Sequence, residues 1–132
     1  MRKQYHFRRS ERGWLAWDVD RLVRLTKDLP RSEVNVAELA ELDEAYWFSG
    51  GTSDTTCRMI IDHARMINEA DLNFPIILSS DGRLMDGMHR VAKAVQSGIT
   101  SIGAVRFEFD PDPDHIGVGP DELPCEEQAA DT

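Results

Sequence analysis

Residues 84–94 read Leu-Met-Asp-Gly-Met-His-Arg-Val-Ala-Lys-Ala, an apolar strand that passes through one glycine into a helix headed by His89 and Arg90. That junction constrains the fold more than any other stretch of the chain. A helix start carries backbone N–H groups without intrahelical acceptors and the positive end of the helix dipole, so it is a natural seat for an anion. His89 and Arg90 add charge and paired donors to such a seat. Gly87 allows a turn that a side chain forbids and lets a ligand approach the backbone. Asp86 is placed to orient His89, Arg90 or a metal-bound water. The pair has a plainer reading as a structural salt bridge, but a basic pair directly after a glycine points more to phosphate contact at residues 87–90.

The flanking sequence builds a small α+β domain with a mixed, partly antiparallel sheet packed by helices. Residues 75–78, Pro-Ile-Ile-Leu, form a short apolar strand, and Asp81-Gly82 favours a tight antiparallel turn into Leu84-Met85. A helix over residues 88–96 buries Val91, Ala92 and Val95 and ends at Gly98, before a closing strand over 102–109. Upstream, residues 55–70 form a helix whose buried side is Cys57, Ile60, Ile61, Ala64 and Ile67, with its cap at Ser53 or Asp54. Val34-Asn35-Val36 is a first strand or the start of the helical turns that follow through residue 48. Asp18 caps a helix carrying Val19, Leu22, Val23, Thr26 and Leu29 on one face, which Pro30 stops. Trp14, Leu15 and Trp17 pack beneath it.

At 132 residues the chain is one domain. It divides into an N-terminal arm and extra helix (1–33), the α+β domain (34–109) and an acidic, Pro-rich tail (110–132) that wraps the surface and ends in disorder. Residues 1–31 hold nine Lys/Arg and four Asp/Glu, whereas residues 108–132 hold nine Asp/Glu and no Lys/Arg. The net charge of −9 opposes nucleic-acid binding, so Arg2, Lys3, Arg8, Arg9 and Arg12 read as a solvated basic patch on a mobile arm rather than a DNA contact. No window has the apolar length of a membrane span or a signal-peptide core, which makes a cytoplasmic protein the expectation. Cys57 and Cys125 suggest free thiols, and His6, His63, His89 and His115 lack metal-ligand spacing, so no structural metal is expected. The apolar surface of Trp14, Trp17 and the first helix needs cover, from the sheet or from a second copy in a homodimer.

Taken together, Pro75-Ile76-Ile77-Leu78, Ser80-Asp81-Gly82-Arg83, Asp86-Gly87-Met88-His89-Arg90, Gly98 and Ala104-Val105-Arg106-Phe107 resemble the ParB/sulfiredoxin superfamily over roughly residues 34–107. The resemblance implies a nucleotide whose phosphates sit at Gly87, Met88, His89 and Arg90, with Mg2+ accompanying it. Sulfiredoxins carry a cysteine immediately before the His-Arg pair; here that residue is Met88, which has no ionisable nucleophile, so sulfiredoxin activity is not expected. A partition protein would need a DNA reader after this domain and an Asn-containing magnesium motif, and neither is found. The Asp-Gly-x-His-Arg pattern is closer to the branch that phosphorylates free serine. On that reading Glu41, Asp43 or Glu44 supplies the base or a metal contact, and the activity is phosphotransfer or nucleotide hydrolysis. The alternative is a non-catalytic module that senses a nucleotide or another anion, or that contacts a protein.

Three further features bear on a ligand. Residues 49–54, Ser-Gly-Gly-Thr-Ser-Asp, are either a ligand loop using Gly50, Gly51 and Thr52 or a plain connector. Trp47, within Tyr46-Trp47-Phe48, either stacks a ligand ring or anchors that loop to the core. His63 reads as a surface or hydrogen-bonded core histidine.

Overall fold

Ile76, Ile77 and Leu78 are consecutive and all buried, which a strand permits only when both of its faces are covered. In the computed structural model, which describes residues 4–48, 55–120, 122 and 123, this segment is an interior strand of an α+β domain. The elements in chain order are β1 (Tyr5–Ser10), β2 (Gly13–Asp18), α1 (Val19–Leu25), β3 (Ser32–Asn35), two 3-10 turns (Val36–Glu38 and Ala40–Asp43), α2 (Cys57–Glu69), β4 (Ile76–Leu78), β5 (Leu84–Asp86), α3 (Met88–Gln96), β6 (Ser101–Arg106) and β7 (His115–Ile116). The main sheet runs β3-β6-β4-β5, with β4 parallel to β6 and the other pairs antiparallel.

Alternation along the strands splits the core in two. Ile76, Leu78, Leu84, Ile102 and Ala104 pack with Met88, Val91 and Ala94 of α3 and with Val36 and Leu39 of the 3-10 turns. Ile77, Met85 and Val105 face the other way, against Trp17, Leu22 and Phe107. The β4–β5 turn matches the expectation from Asp81-Gly82: Gly82 has φ 85°, its N–H donates to Ser79 at 3.0 Å, and Ser79 N–H donates to Arg83 O at 2.8 Å. Helix α3 spans the expected residues, but it buries Met88, Val91 and Ala94 in place of Ala92 and Val95. The buried stripe begins one turn earlier because Met88 itself enters the core.

The N-terminal arm is a structured element. β1 and β2 form a hairpin from Tyr5↔Asp18 to Ser10↔Gly13, and the tail returns to add β7 as a third strand. Charge asymmetry explains the docking. Arg8 lies 3.6 Å from Asp110 and Arg21 lies 3.3 Å from Asp114, while Trp17 Nε1 donates to Pro111 O at 2.8 Å. Arg9 stacks over Trp14 at 4.4 Å. The expected mobile basic patch is therefore, at Arg8 and Arg9, part of an ordered strand, and within the tail His115 and Ile116 are sheet, reached through irregular residues 110–114. Trp17 is buried within the chain, so it offers no surface to a second copy. Asp18 caps α1 through the Asp20 N–H as expected, but the helix ends at Leu25, where Thr26 Oγ1 bonds Leu22 O, well before Pro30; Val23 is exposed. No helix among the described residues is long and apolar enough to cross a membrane.

Helix α2 departs furthest from expectation. Its cap is Thr56, whose side chain accepts from Met59 N–H, and the Cys57, Ile60, Ile61 and Ala64 positions assigned to its buried side are exposed. The half-buried side holds Met59, Asp62, His63 and Met66 together with Ile67, the one assigned position that is not exposed. Periodicity fixes that a helix has an apolar stripe but not what covers it.

Candidate functional site

Strand β5 ends at Asp86, and Gly87 turns the chain at φ 113° and ψ 21° into α3. A Cβ at Gly87 would lie 2.6 Å from Ile76 Cγ2 and 2.8 Å from Arg90 Nη2. The glycine is required by backbone conformation and by close packing on the core, a different reason from ligand approach. Val91 N–H closes the first turn on Gly87 O at 3.0 Å, and Gly87 supplies no side-chain cap. The amides of Met88, His89 and Arg90 therefore open at the helix start without intrahelical acceptors. Met88 contributes only its amide, since its side chain is buried in the core.

Arg90 Nη2 donates to Asp86 Oδ2 at 3.0 Å and to Pro75 O at 3.4 Å, tying α3 back to β5 and to the start of β4, while its buried Nε has no hydrogen-bond partner. Asp86 thus pairs with Arg90, the structural salt bridge that was the plainer reading of this segment.

His89 meets two partners the sequence does not announce. Its Nε2 lies 2.9 Å from Nδ1 of His63 on α2, and Trp47 stacks on both rings, 4.7 Å from His89 and 4.3 Å from His63 with interplanar angles of 17° and 20°. Burial first, then His63 and Arg90, push the His89 pKa down from 6.5 to about 4. His89 is therefore neutral near pH 7, which corrects the expectation that it adds positive charge; one imidazole of the pair donates and the other accepts. His63 was not singled out for a role because nothing local marks it: its partner is 26 residues away, and only the α2–α3 packing joins them.

A pH prediction follows. Between pH 6.5 and 4 the unfolded chain binds a proton at His89 that the folded chain does not, so stability is level above pH 6.5 and declines as pH falls toward 4. His6, pushed to about 4 by burial and then by Arg8 and Arg83, acts in the same direction. Urea midpoints measured from pH 7 to pH 4.5 are expected to fall, less steeply in His89→Gln than in the parent. Equal slopes would contradict a buried neutral His89.

Two of the three carboxylates named as candidate base, Glu41 and Glu44, pair with Arg83. Glu41 is 3% exposed; its Oε2 accepts from Leu84 N–H at 2.9 Å and from Arg83 Nε at 3.0 Å. Glu44 grips the same guanidinium through two bonds of 3.0 and 2.8 Å, which raise the Arg83 pKa further. Arg83 was also overlooked as a partner, although it follows the Asp81-Gly82 turn and faces the Glu41-Leu42-Asp43-Glu44 run. Asp43 is exposed. Among the described residues no three His, Cys, Asp or Glu side chains are grouped to hold a metal ion.

Trp47 separates two shallow, largely apolar hollows. One, of about 200 Å³, lies among Glu41, Glu44, Tyr46, Trp47, Met88 and Ala92. The other, of about 170 Å³, lies among Trp47, Phe48, Ile60, His63, Ala64 and Ile67. Gly50, Gly51 and Thr52, the candidate ligand loop, fall outside the described residues. No protein-family model, curated protein or solved structure matches this chain.

Proposed function

We propose that this chain binds a phosphate-bearing ligand with a planar ring, a nucleotide first among them, at the start of α3 in a domain of ParB/sulfiredoxin-like build. The observation that carries the proposal is the Trp47–His63–His89 stack on the first turn of α3, which joins an aromatic surface to the helix-start amides. A phosphate accepts from the amides of Met88, His89 and Arg90 and is drawn by the Arg90 guanidinium. The ring of the ligand packs along the edge of the Trp47 stack, in the hollow beside Phe48, His63 and Ile67 whose walls are otherwise apolar. Neutral His89 serves as a polar, hydrogen-bonding wall and leaves the charge attraction to Arg90 and the helix dipole. Magnesium accompanying a nucleotide is held in this reading by the phosphates and water.

Binding without turnover fits the carboxylates best. Phosphotransfer needs a carboxylate within reach of the hydroxyl proton; Glu41, Glu44 and Asp86 are each paired with an arginine, and Asp43 is turned to solvent. That supports a sensing or regulatory role over catalysis.

A thermal-shift screen against nucleoside mono-, di- and triphosphates, with and without magnesium, tests the proposal. A ligand at a hundred times its Kd stabilises the fold by roughly 2.7 kcal/mol. At least one nucleotide is expected to raise the Tm of the parent and to lose most of that effect in Arg90→Ala and in Trp47→Ala. No shift with any nucleotide, or a shift unchanged in both folded variants, contradicts the assignment. Steady nucleotide turnover abolished by Glu44→Gln would replace sensing by catalysis.

A further inference from the structure

Helix α2 lies against α3, yet none of its 13 residues is buried. Its inner side, Met59, Asp62, His63, Met66 and Ile67, is only half-covered. A helix of this length is marginal in water without packing, so docking on α3 decides whether α2 stays folded. Two polar ties hold it there. At the C-terminal end Lys93 Nζ donates to Asn68 O at 2.9 Å and to Ala70 O at 2.7 Å, a cation set on the last carbonyls, where the helix dipole is negative. In mid-helix the tie is His63 Nδ1 against His89 Nε2 at 2.9 Å.

The two ties respond differently to acid. Lys93 keeps its charge and its donors throughout the acid range. The imidazole pair holds one hydrogen between two nitrogens, and the ring centroids are 5.1 Å apart, little more than the N···N distance plus two ring radii, so the nitrogens face each other along one line. A first added proton places a charge beside Arg90 in a site half-closed to water. A second removes the acceptor and sets two N–H groups of like charge head to head. Trp47 stacks on both rings and keeps them in that line. The other charges around the pair are Arg90, held by Asp86 at 3.0 Å on the β5 side, Asp62 on α2, with Arg65 at 3.6 Å, and Glu44 beyond Trp47, held by Arg83. Burial and the cationic neighbours prevail at His89, which stays neutral down to about pH 4.

We infer that α2 is an acid-released lid, which pivots on the Lys93 clamp and lifts from α3 when protons break the His63–His89 tie. Ile60, His63, Ala64 and Ile67 wall the 170 Å³ hollow beside Trp47 and Phe48, so lifting α2 opens that hollow to solvent. The lid belongs to the ligand-free chain and stands apart from what fills the hollow.

Native-state hydrogen exchange of the full ligand-free chain, read residue by residue at pH 7.5 and pH 5.0 and corrected for intrinsic exchange rates, tests it. Amides of residues 61–68 are expected to be less protected than those of Ile77 and Val105 at both pH values, because α2 opens without the rest of the domain. A histidine that titrates near 6.5 when released and near 4 when docked raises the opening equilibrium about 30-fold across this interval, and α2 protection is expected to fall by that factor. In His89→Gln, and in the double variant His63→Gln with His89→Gln, the fall is expected to be no more than about threefold. Lys93→Met is expected to lower α2 protection at both pH values and to keep the 30-fold fall, since it loosens the pivot and leaves the imidazole tie in place. An α2 as well protected as the strands, or a pH dependence retained in both histidine variants, overturns the inference.

Discussion

Gly87→Ala is expected to destabilise the chain by about 2–5 kcal/mol, through strain at positive φ together with overpacking. The Cβ would meet Ile76 Cγ2 at 2.6 Å and Arg90 Nη2 at 2.8 Å, and Ile76 is fully buried, so the core cannot move aside cheaply. Pushing Arg90 away also strains its bonds to Asp86 and Pro75. A fall in Tm of roughly 10–20 °C by calorimetry is the expected reading for a domain of this size. An alanine variant melting with the parent would mean that the β5–α3 junction relaxes freely, and the description of Gly87 as a packing residue would be wrong.

The junction is also where the sequence was most legible. Helix α3 was bounded correctly because Gly87 and Gly98 punctuate it, and the β4–β5 turn was readable because Asp81-Gly82 encodes the positive φ found at Gly82. The apolar run at residues 75–78 was readable as a short strand, and its place inside the sheet came from the fold. What failed shares one physical cause. The stripe on α2 has helical period, but period does not tell a core face from an outward one, and Ile60 and Ile61 lie outside. Likewise Glu41 and Glu44 have the chemistry of a base until Arg83, about forty residues on, is folded against them. The His63–His89 pair and the docking of the acidic tail on the N-terminal hairpin are contacts of long sequence separation, invisible to local pattern.

Glu41→Ala is expected to cost about 1–3 kcal/mol, the range for leaving a buried donor unsatisfied, because Arg83 is itself solvent-exposed and keeps Glu44. It strands the buried Leu84 N–H and leaves Arg83 with the exposed Glu44 alone. Glu41→Gln keeps an oxygen for Leu84 N–H and loses only the charge, so a smaller loss is expected. Glu44→Ala should change stability by no more than about 1 kcal/mol, because its bond to Arg83 is solvent-exposed. Urea unfolding of the three variants is the check, in the order Glu41→Ala below Glu41→Gln below Glu44→Ala. If Glu41→Ala were as stable as the parent, Glu41 would be released from its structural role and would return as a candidate base.

We propose that the first turn of α3 and the Trp47 stack are one ligand site. Titrating uniformly 15N-labelled protein with the nucleotide that gives the largest thermal shift, and following amide and indole resonances, tests it most directly. The amides of Met88, His89 and Arg90 and the indole N–H of Trp47 are expected to move together along one saturating curve, while amides of the β1–β2 hairpin stay in place. Saturable shifts confined to the hairpin or to the exposed face of α2, with residues 88–90 unmoved, would contradict it.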